Sequence, residues 1–273
     1  MCATCFPPPE PAPKPAVAAV RTPRSSIGIG GTVTRTRRAP ARVAGTRGGV
    51  QAELAPVDPK TVRIYHVTHI ENLASILGEG AILADAAGAT PEVDVAAPAA
   101  REFRRSAPVE GTEQVVADYV PFLLSTDAHF WEALRTGSPD PRLAAEAVSR
   151  PASDHVLFVT DIAAAVGART ETVGAVAITE KDVAALGSVS ATEWSDVLRS
   201  LRRLHRDDEG AQLLAAEFLV RECLPVERVR LIAVANDRVR DRVKSALDAV
   251  GLATRVAVYP PWFQPAGGQA VED

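Results

Sequence analysis

A carboxylate stands inside an apolar run near the C-terminal end of the chain, in Ala215-Ala216-Glu217-Phe218-Leu219-Val220. Strand alternation puts Phe218 and Val220 on one face and Glu217 and Leu219 on the other. Stripping water from a carboxylate is costly unless a partner compensates or its pKa rises. Glu217 therefore either starts an edge strand and faces solvent, or is kept inside for catalytic work. Far upstream, His66, Thr68 and His69 sit where a strand-like segment hands over to a helical one. Thr68 offers a hydroxyl for the helix N-cap. Polar groups beside free helix N–H donors suit a nucleotide; the alternative is a cap with two packed imidazoles. A third pattern is a cationic stripe, Arg199, Arg202, Arg203 and Arg206, at helical spacing. Like charges on one face repel unless anions approach, so the stripe is a candidate phosphate contact. A solvated face balanced by Asp207, Asp208 and Glu209 is the competing reading.

Elements must carry these groups. Residues 62–67 alternate as a strand. Ile70, Leu73, Ala74, Ile76 and Leu77 then form a helical face that Gly78 and Gly80 close. Ile82-Leu83 begins a short extended piece. Residues 85–115 form a long Ala/Pro/Gly-rich connection with one helical segment, 99–105, carrying Arg101, Arg104 and Arg105. Connections this long in a compact domain are functional or disordered. Residues 119–124 read as a strand, and Pro121 argues for an edge or a bulge. Short helices follow at 129–135, ended by Gly137, and at 142–149, with strands at 155–159 and 173–178. A helix is expected at 180–186, and the clearest amphipathic helix at 192–206, where Trp194, Val197, Leu198 and Leu201 share a face. After Glu217 come a strand at 229–234, a helix at 237–249 capped by Asn236 and closed near Gly251, and a last strand at 255–259. Strands mixed with short helices in no strict order predict an α+β fold.

Composition narrows the class. The chain has 273 residues, 47% of them hydrophobic, enough for one sizeable core. Residues 1–58 carry a balance of +5 and the remainder −9, so the folded part is acidic and unsuited to coating nucleic acid nonspecifically. The Pro- and Arg-rich stretch 1–58 shows no apolar period and is expected to be a disordered tail. Cys2 and Cys5 have metal-ligand spacing but no second pair, and three cysteines make no disulfide framework. A reduced, cytoplasmic protein without membrane spans is expected.

Taken together, these residues resemble the DarT-type ADP-ribosyltransferases, the toxins of DarT–DarG toxin–antitoxin pairs. Tyr65-His66-Val67-Thr68-His69-Ile70-Glu71-Asn72-Leu73 resembles the family's opening NAD-binding motif. Arg101-Glu102-Phe103-Arg104-Arg105 resembles the segment with its catalytic arginine, placed at Arg104. Asp118-Tyr119-Val120-Pro121-Phe122 resembles its central strand, Ala216-Glu217-Phe218-Leu219-Val220 its catalytic glutamate segment, and Trp262-Phe263 its aromatic finish. The chain departs from the pattern at Asp127-Ala128-His129-Phe130, where many relatives carry Arg-Ser-Pro-Met, at Ala117, where a His is common, and at Ala211-Gln212-Leu213-Leu214, where relatives are often basic.

The resemblance implies an ADP-ribosyltransferase-like fold with a split central sheet flanked by short helices, over residues 59–265, after the tail 1–58 and before a flexible end 266–273. It implies NAD as substrate, without metal. Glu217 and Arg104 become the catalytic pair, and His66, Val67, Thr68, Asn72, Ser75, Leu83 and Arg104 the NAD-binding set. Single-stranded DNA, at thymidine, is the implied acceptor and a DarG-like macrodomain antitoxin the partner of a monomeric enzyme. RNA, another base or a protein remain alternative acceptors, and a noncatalytic nucleotide-binding module is the alternative to an enzyme. The residue types fit: a carboxylate stabilises positive charge developing on a ribose, and a guanidinium grips pyrophosphate or a base carbonyl with two prongs.

Overall fold

The computed structural model describes residues 57–181, 190–206 and 210–265. Most of the expected tail, the end 266–273, most of the helix expected after Glu180, and Asp207–Glu209 lie outside the described residues. The chain enters with β1 (Arg63–His69), a 3-10 turn (Ile70–Asn72), α1 (Leu73–Glu79) and β2 (Ala81–Leu83). The long connection holds α2 (Pro98–Ser106) and leads to β3 (Tyr119–Leu123). Next come α3 (His129–Thr136), α4 (Ala145–Ser149), β4 (His155–Asp161), α5 (Ile162–Val166) and β5 (Val176–Thr179). The C-terminal third runs β6 (Ser190–Ala191), α6 (Trp194–Leu204), α7 (Ala211–Ala215), β7 (Glu217–Arg221), β8 (Cys223–Pro225), β9 (Leu231–Val234), α8 (Asp237–Ala249) and β10 (Val256–Val258).

Eight strands form one sheet in the order β10-β9-β4-β1-β3-β7-β5-β6, and β2 pairs with β8 in a second, two-stranded sheet. The large sheet is split at its middle. β1 runs along β4 over seven paired positions, but it meets β3 only at Tyr65↔Leu123. Pro121 is tolerated there for that reason. Its carbonyl accepts a hydrogen bond from His66 Nδ1, so the side of the residue that lacks an N–H also faces the open seam. β3 is thus an interior strand, fully paired with β7, rather than an edge. β7 is interior too, between β3 and β5, which removes the solvent-facing edge reading of Glu217.

Each face of the sheet has its own core. Ile64, Phe122, Phe158, Phe218 and Ile232 pack under α1, α6 and α8, while Leu157, Trp131, Leu134 and Phe263 fill the opposite side. The amphipathic face of α6 behaves as its spacing requires, with Val197 and Leu201 fully buried and Trp194 and Leu198 packed beside them. α8 starts at the Asn236 cap, whose side chain accepts from Val239 N.

Three local expectations change. The N-cap after β1 is His69, whose Nδ1 accepts from Glu71 N; Thr68 stays in the strand because the ladder with β4 continues to His69↔His155. Gly78 lies within α1, and Gly80, at φ 67°, supplies the left-handed stop. The helix expected from 142 begins only at Ala145, since Arg142 and Leu143 are drawn toward residues 96 and 97 by a bridge and a backbone hydrogen bond.

His155 closes the β1–β4 ladder wholly buried, its ring 5.1 Å from that of His69. Burial, with the neighbouring His69 adding to it, pushes the imidazole from 6.5 down to about 4. The unfolded chain takes up this proton near the ordinary value, whereas the fold resists it. Stability is therefore complete above about pH 6.5 and falls as pH drops through the window to about 4, by about 3 kcal/mol. His69, lowered by burial, acts in the same direction. Denaturant titrations at pH 7 and 4.5 should show this loss, and His155→Gln should flatten it.

Candidate functional site

Register places the site before any side chain is considered. Tyr65 of β1 pairs with Leu123 of β3, and Leu123 with Glu217 of β7, so one line across the sheet joins the opening motif to the carboxylate. Thr179, at the end of β5, extends the ladder by its side chain, its Oγ1 accepting from Glu217 N at 3.0 Å. Glu217 is held from both flanks and is only 9% exposed.

α2 brings the cation. Arg104 Nη1 donates to Glu217 Oε2 at 3.0 Å, across 113 residues of chain. Its Nη2 is buried and has no hydrogen-bond partner among the described residues. A guanidinium with one arm on a carboxylate and one arm unused is suited to a further oxygen, such as a phosphate or carbonyl. Both groups border a cavity of about 420 Å³, within the usual size for a small-molecule site. His66, Val67, Thr68, Asn72, Ser75 and Leu83 border the same cavity, so the structure brings the whole expected NAD-binding set to Glu217 and Arg104.

The members differ in what they have left to offer. His66 Nδ1 donates to Pro121 O, and its surroundings lower its pKa, chiefly by burial. The neutral ring then carries its proton on Nδ1 and leaves Nε2 as an acceptor. Asn72 is fully committed. Its Nδ2 donates to Thr68 Oγ1 (2.9 Å) and Val93 O (2.8 Å), and its Oδ1 accepts from Val93 N (2.9 Å). It fastens the long connection to the opening motif rather than presenting a free amide. Asn72→Ala leaves three buried polar groups unpaired and is expected to lower stability by about 3 kcal/mol in denaturant titration.

Several cavity residues escape sequence reasoning. Asp85, Asp94 and Arg101 form a charged cluster on its wall, and Phe103 and Phe130 add apolar surface. Burial opposes the Arg101 charge, but its hydrogen bonds and proximity to Asp94 and Asp85 raise its pKa overall. Only the carboxylate–arginine composition of residues 85–101 signals this cluster, without a period that would pair its members.

The arginine stripe lies elsewhere. None of Arg199, Arg202, Arg203 and Arg206 borders the cavity. Arg199 is paired with Asp196 and Arg203 with Glu180. The acids that balance α6 thus include Glu180, just after β5. Asp127 is paired with Arg135, which is almost wholly buried and also reaches Trp262 O. Among the described residues no group of three His, Cys, Asp or Glu is placed to hold a metal ion, and no helix is long and apolar enough to cross a membrane.

Comparison with known proteins identifies the family and the fold. The profile of one family, described as DarT, ssDNA thymidine ADP-ribosyltransferase, matches residues 65–264. Among solved structures, Thermus sp. 2.9 DarT in complex with ADP-ribosylated ssDNA is 22% identical, with a TM-score of 0.61 over 77% of this chain and 99% of that one. The same protein in complex with NAD+ is 20% identical, with a TM-score of 0.58 over 76% of this chain and 99% of that one. Thermosipho africanus DarTG in complex with ADP-ribose is 16% identical, with a TM-score of 0.53 over 74% of this chain and 50% of that one. No curated protein matches the chain.

Proposed function

The chain belongs to the DarT family of NAD-dependent ADP-ribosyltransferases, and we propose that it modifies a base of single-stranded DNA, thymidine first, as the toxin of a toxin–antitoxin pair. The observation that carries the site assignment is the Arg104–Glu217 contact at 3.0 Å on the wall of the cavity, with the second arm of Arg104 unpartnered among the described residues. The catalytic domain is read as residues 59–265, acting as a monomer. A macrodomain antitoxin that removes the mark is the expected partner.

The residues present suit NAD. Arg104 Nη2 offers a buried cationic donor, His66 an acceptor and Ser75 a hydroxyl, and Val67 and Leu83 add apolar surface to the same cavity. NAD, when bound, supplies an ADP-ribosyl group whose bond to nicotinamide breaks with positive charge developing on the ribose. Glu217 places a fixed negative charge where that charge develops, and its carboxylate can hold a ribose hydroxyl or take the acceptor's proton. Arg104 holds this carboxylate in place with one arm and positions an oxygen of the substrate or the acceptor base with the other. An arginine is a poor proton acceptor, so its part is orientation and charge rather than proton removal.

The test is label transfer. Purified protein is incubated with NAD labelled in its adenosine half and separate pools of single-stranded DNA, RNA and protein, with Glu217→Ala alongside. Label on single-stranded DNA, absent in the variant, supports the proposal. Label on RNA or protein instead moves the acceptor. NAD binding without nicotinamide release on any pool supports the noncatalytic module.

A further inference from the structure

The geometry points to Arg101 as a positioning residue that sets Arg104 against Glu217. The inference rests on reading the cavity as the NAD site. α2 carries Arg104, yet none of its apolar residues is buried, and Phe103 is 40% exposed. Apolar packing therefore does little to fix how the helix rolls or slides. Arg101 does so by charge. Its Nη1 donates to Asp85 Oδ1 at 2.7 Å and its Nη2 to Asp94 Oδ1 at 2.8 Å, while Nε lies beside the second Asp94 oxygen.

The two carboxylates stand on separately anchored chain segments. Asp85 opens the 3-10 turn after β2, whose strand is paired with β8. Asp94 follows Val93, which Asn72 clamps, and its own Oδ1 accepts from Ala96 N. A planar guanidinium held by carboxylates from two directions cannot rotate without losing one of them. Arg101 and Arg104 are three residues apart, so they share a face of α2. Fixing the first aims the second. Arg101 borders the cavity, but its Nη1 and Nη2 are both engaged on carboxylates, and its Nε, which makes no hydrogen bond among the described residues, lies against Asp94. Arg105 is the natural control: it is exposed, and its ion pair among the described residues is with Glu102, one turn back on the same helix.

Two measurements test the assignment. Hydrogen–deuterium exchange follows the amides of α2 in Arg101→Ala and Arg105→Ala without any ligand. Exchange across 98–106 should rise by about tenfold in the first variant, with β3 and β7 unchanged, and stay put in the second. Calorimetric titration with NAD then compares Arg101→Ala, Arg104→Ala and the double variant. If Arg101 acts through Arg104, its loss weakens binding about tenfold alone but no more than about twofold once Arg104 is gone. Unchanged α2 exchange would overturn the inference, as would a faster rate throughout the sheet or binding losses that simply multiply. Should the alanine variant fold poorly, Arg101→Lys keeps the charge, loses the fork and gives the same α2 readout. Failure of the unaltered protein to bind NAD would sink the site reading, and the exchange of α2 would still decide what Arg101 does.

Discussion

Replacing Glu217 by Gln is expected to lower ADP-ribosyl transfer by at least about a thousandfold while leaving NAD affinity within about tenfold. The two side chains have nearly the same shape. Thr179 and the β3 ladder hold the backbone of residue 217, not its carboxyl group, so the strand stays in place. What changes is the charge. An amide cannot offset positive charge developing on a ribose, nor accept a proton from the base. That deficit appears in the transition state and hardly in the ground state, which is why turnover should suffer and binding should not. The neutral side chain also leaves Arg104 without a counter-charge in a site where both side chains are mostly buried. A fall of a few degrees in melting temperature is the expected structural cost. Rates of label transfer, calorimetric titration with NAD and thermal melts separate the three effects. Affinity lost in step with turnover would make Glu217 a binding residue instead.

Local signals carry much of the fold in the sequence. Asn236 as cap and the apolar spacing behind it delimit α8 as Asp237–Ala249, which is the span expected. Glu217 is legible as an unusual residue because a carboxylate in an apolar run has few explanations, but only the position of β7 between β3 and β5 turns it inward. Readings fail where pairing overrides a local preference. Thr68 is a good capping residue by type, yet the β4 partner holds it in the strand and gives the cap to His69. Pro121 signals an edge, and the fold answers with a seam inside the sheet, to which the same physical rule applies. The stripe on α6 is legible as a pattern of charge, but periodicity does not say which way a face looks or that Glu180 waits beside it. The Arg101 cluster is the hardest to foresee. Its partners come from irregular segments 7 and 16 residues away, and irregular backbone has no period from which to compute a meeting.

Arg104→Lys should be nearly as damaging as Arg104→Ala, each lowering kcat/KM by about a hundredfold or more, although lysine preserves the charge. The reason lies in the two arms of the native side chain. Nη1 is spent on Glu217, and Nη2 is buried in the site without a partner among the described residues. An ammonium group is one compact centre. It can sit near Glu217 or near a substrate oxygen, but it cannot hold both in the fixed angle that a planar fork provides. The kinetic signature should differ from that of Glu217→Gln. If the free arm of Arg104 holds an oxygen of NAD, the interaction exists before the bond breaks, so KM for NAD rises in both arginine variants. If that arm serves the acceptor base, KM for NAD stays near its native value and the loss appears when the nucleic acid is varied at saturating NAD. Steady-state kinetics with each substrate varied in turn decide between the two. A lysine variant retaining more than about half of the native rate would show that charge alone suffices at this position. The bidentate argument, and with it the need for a closely aimed α2, would then fall.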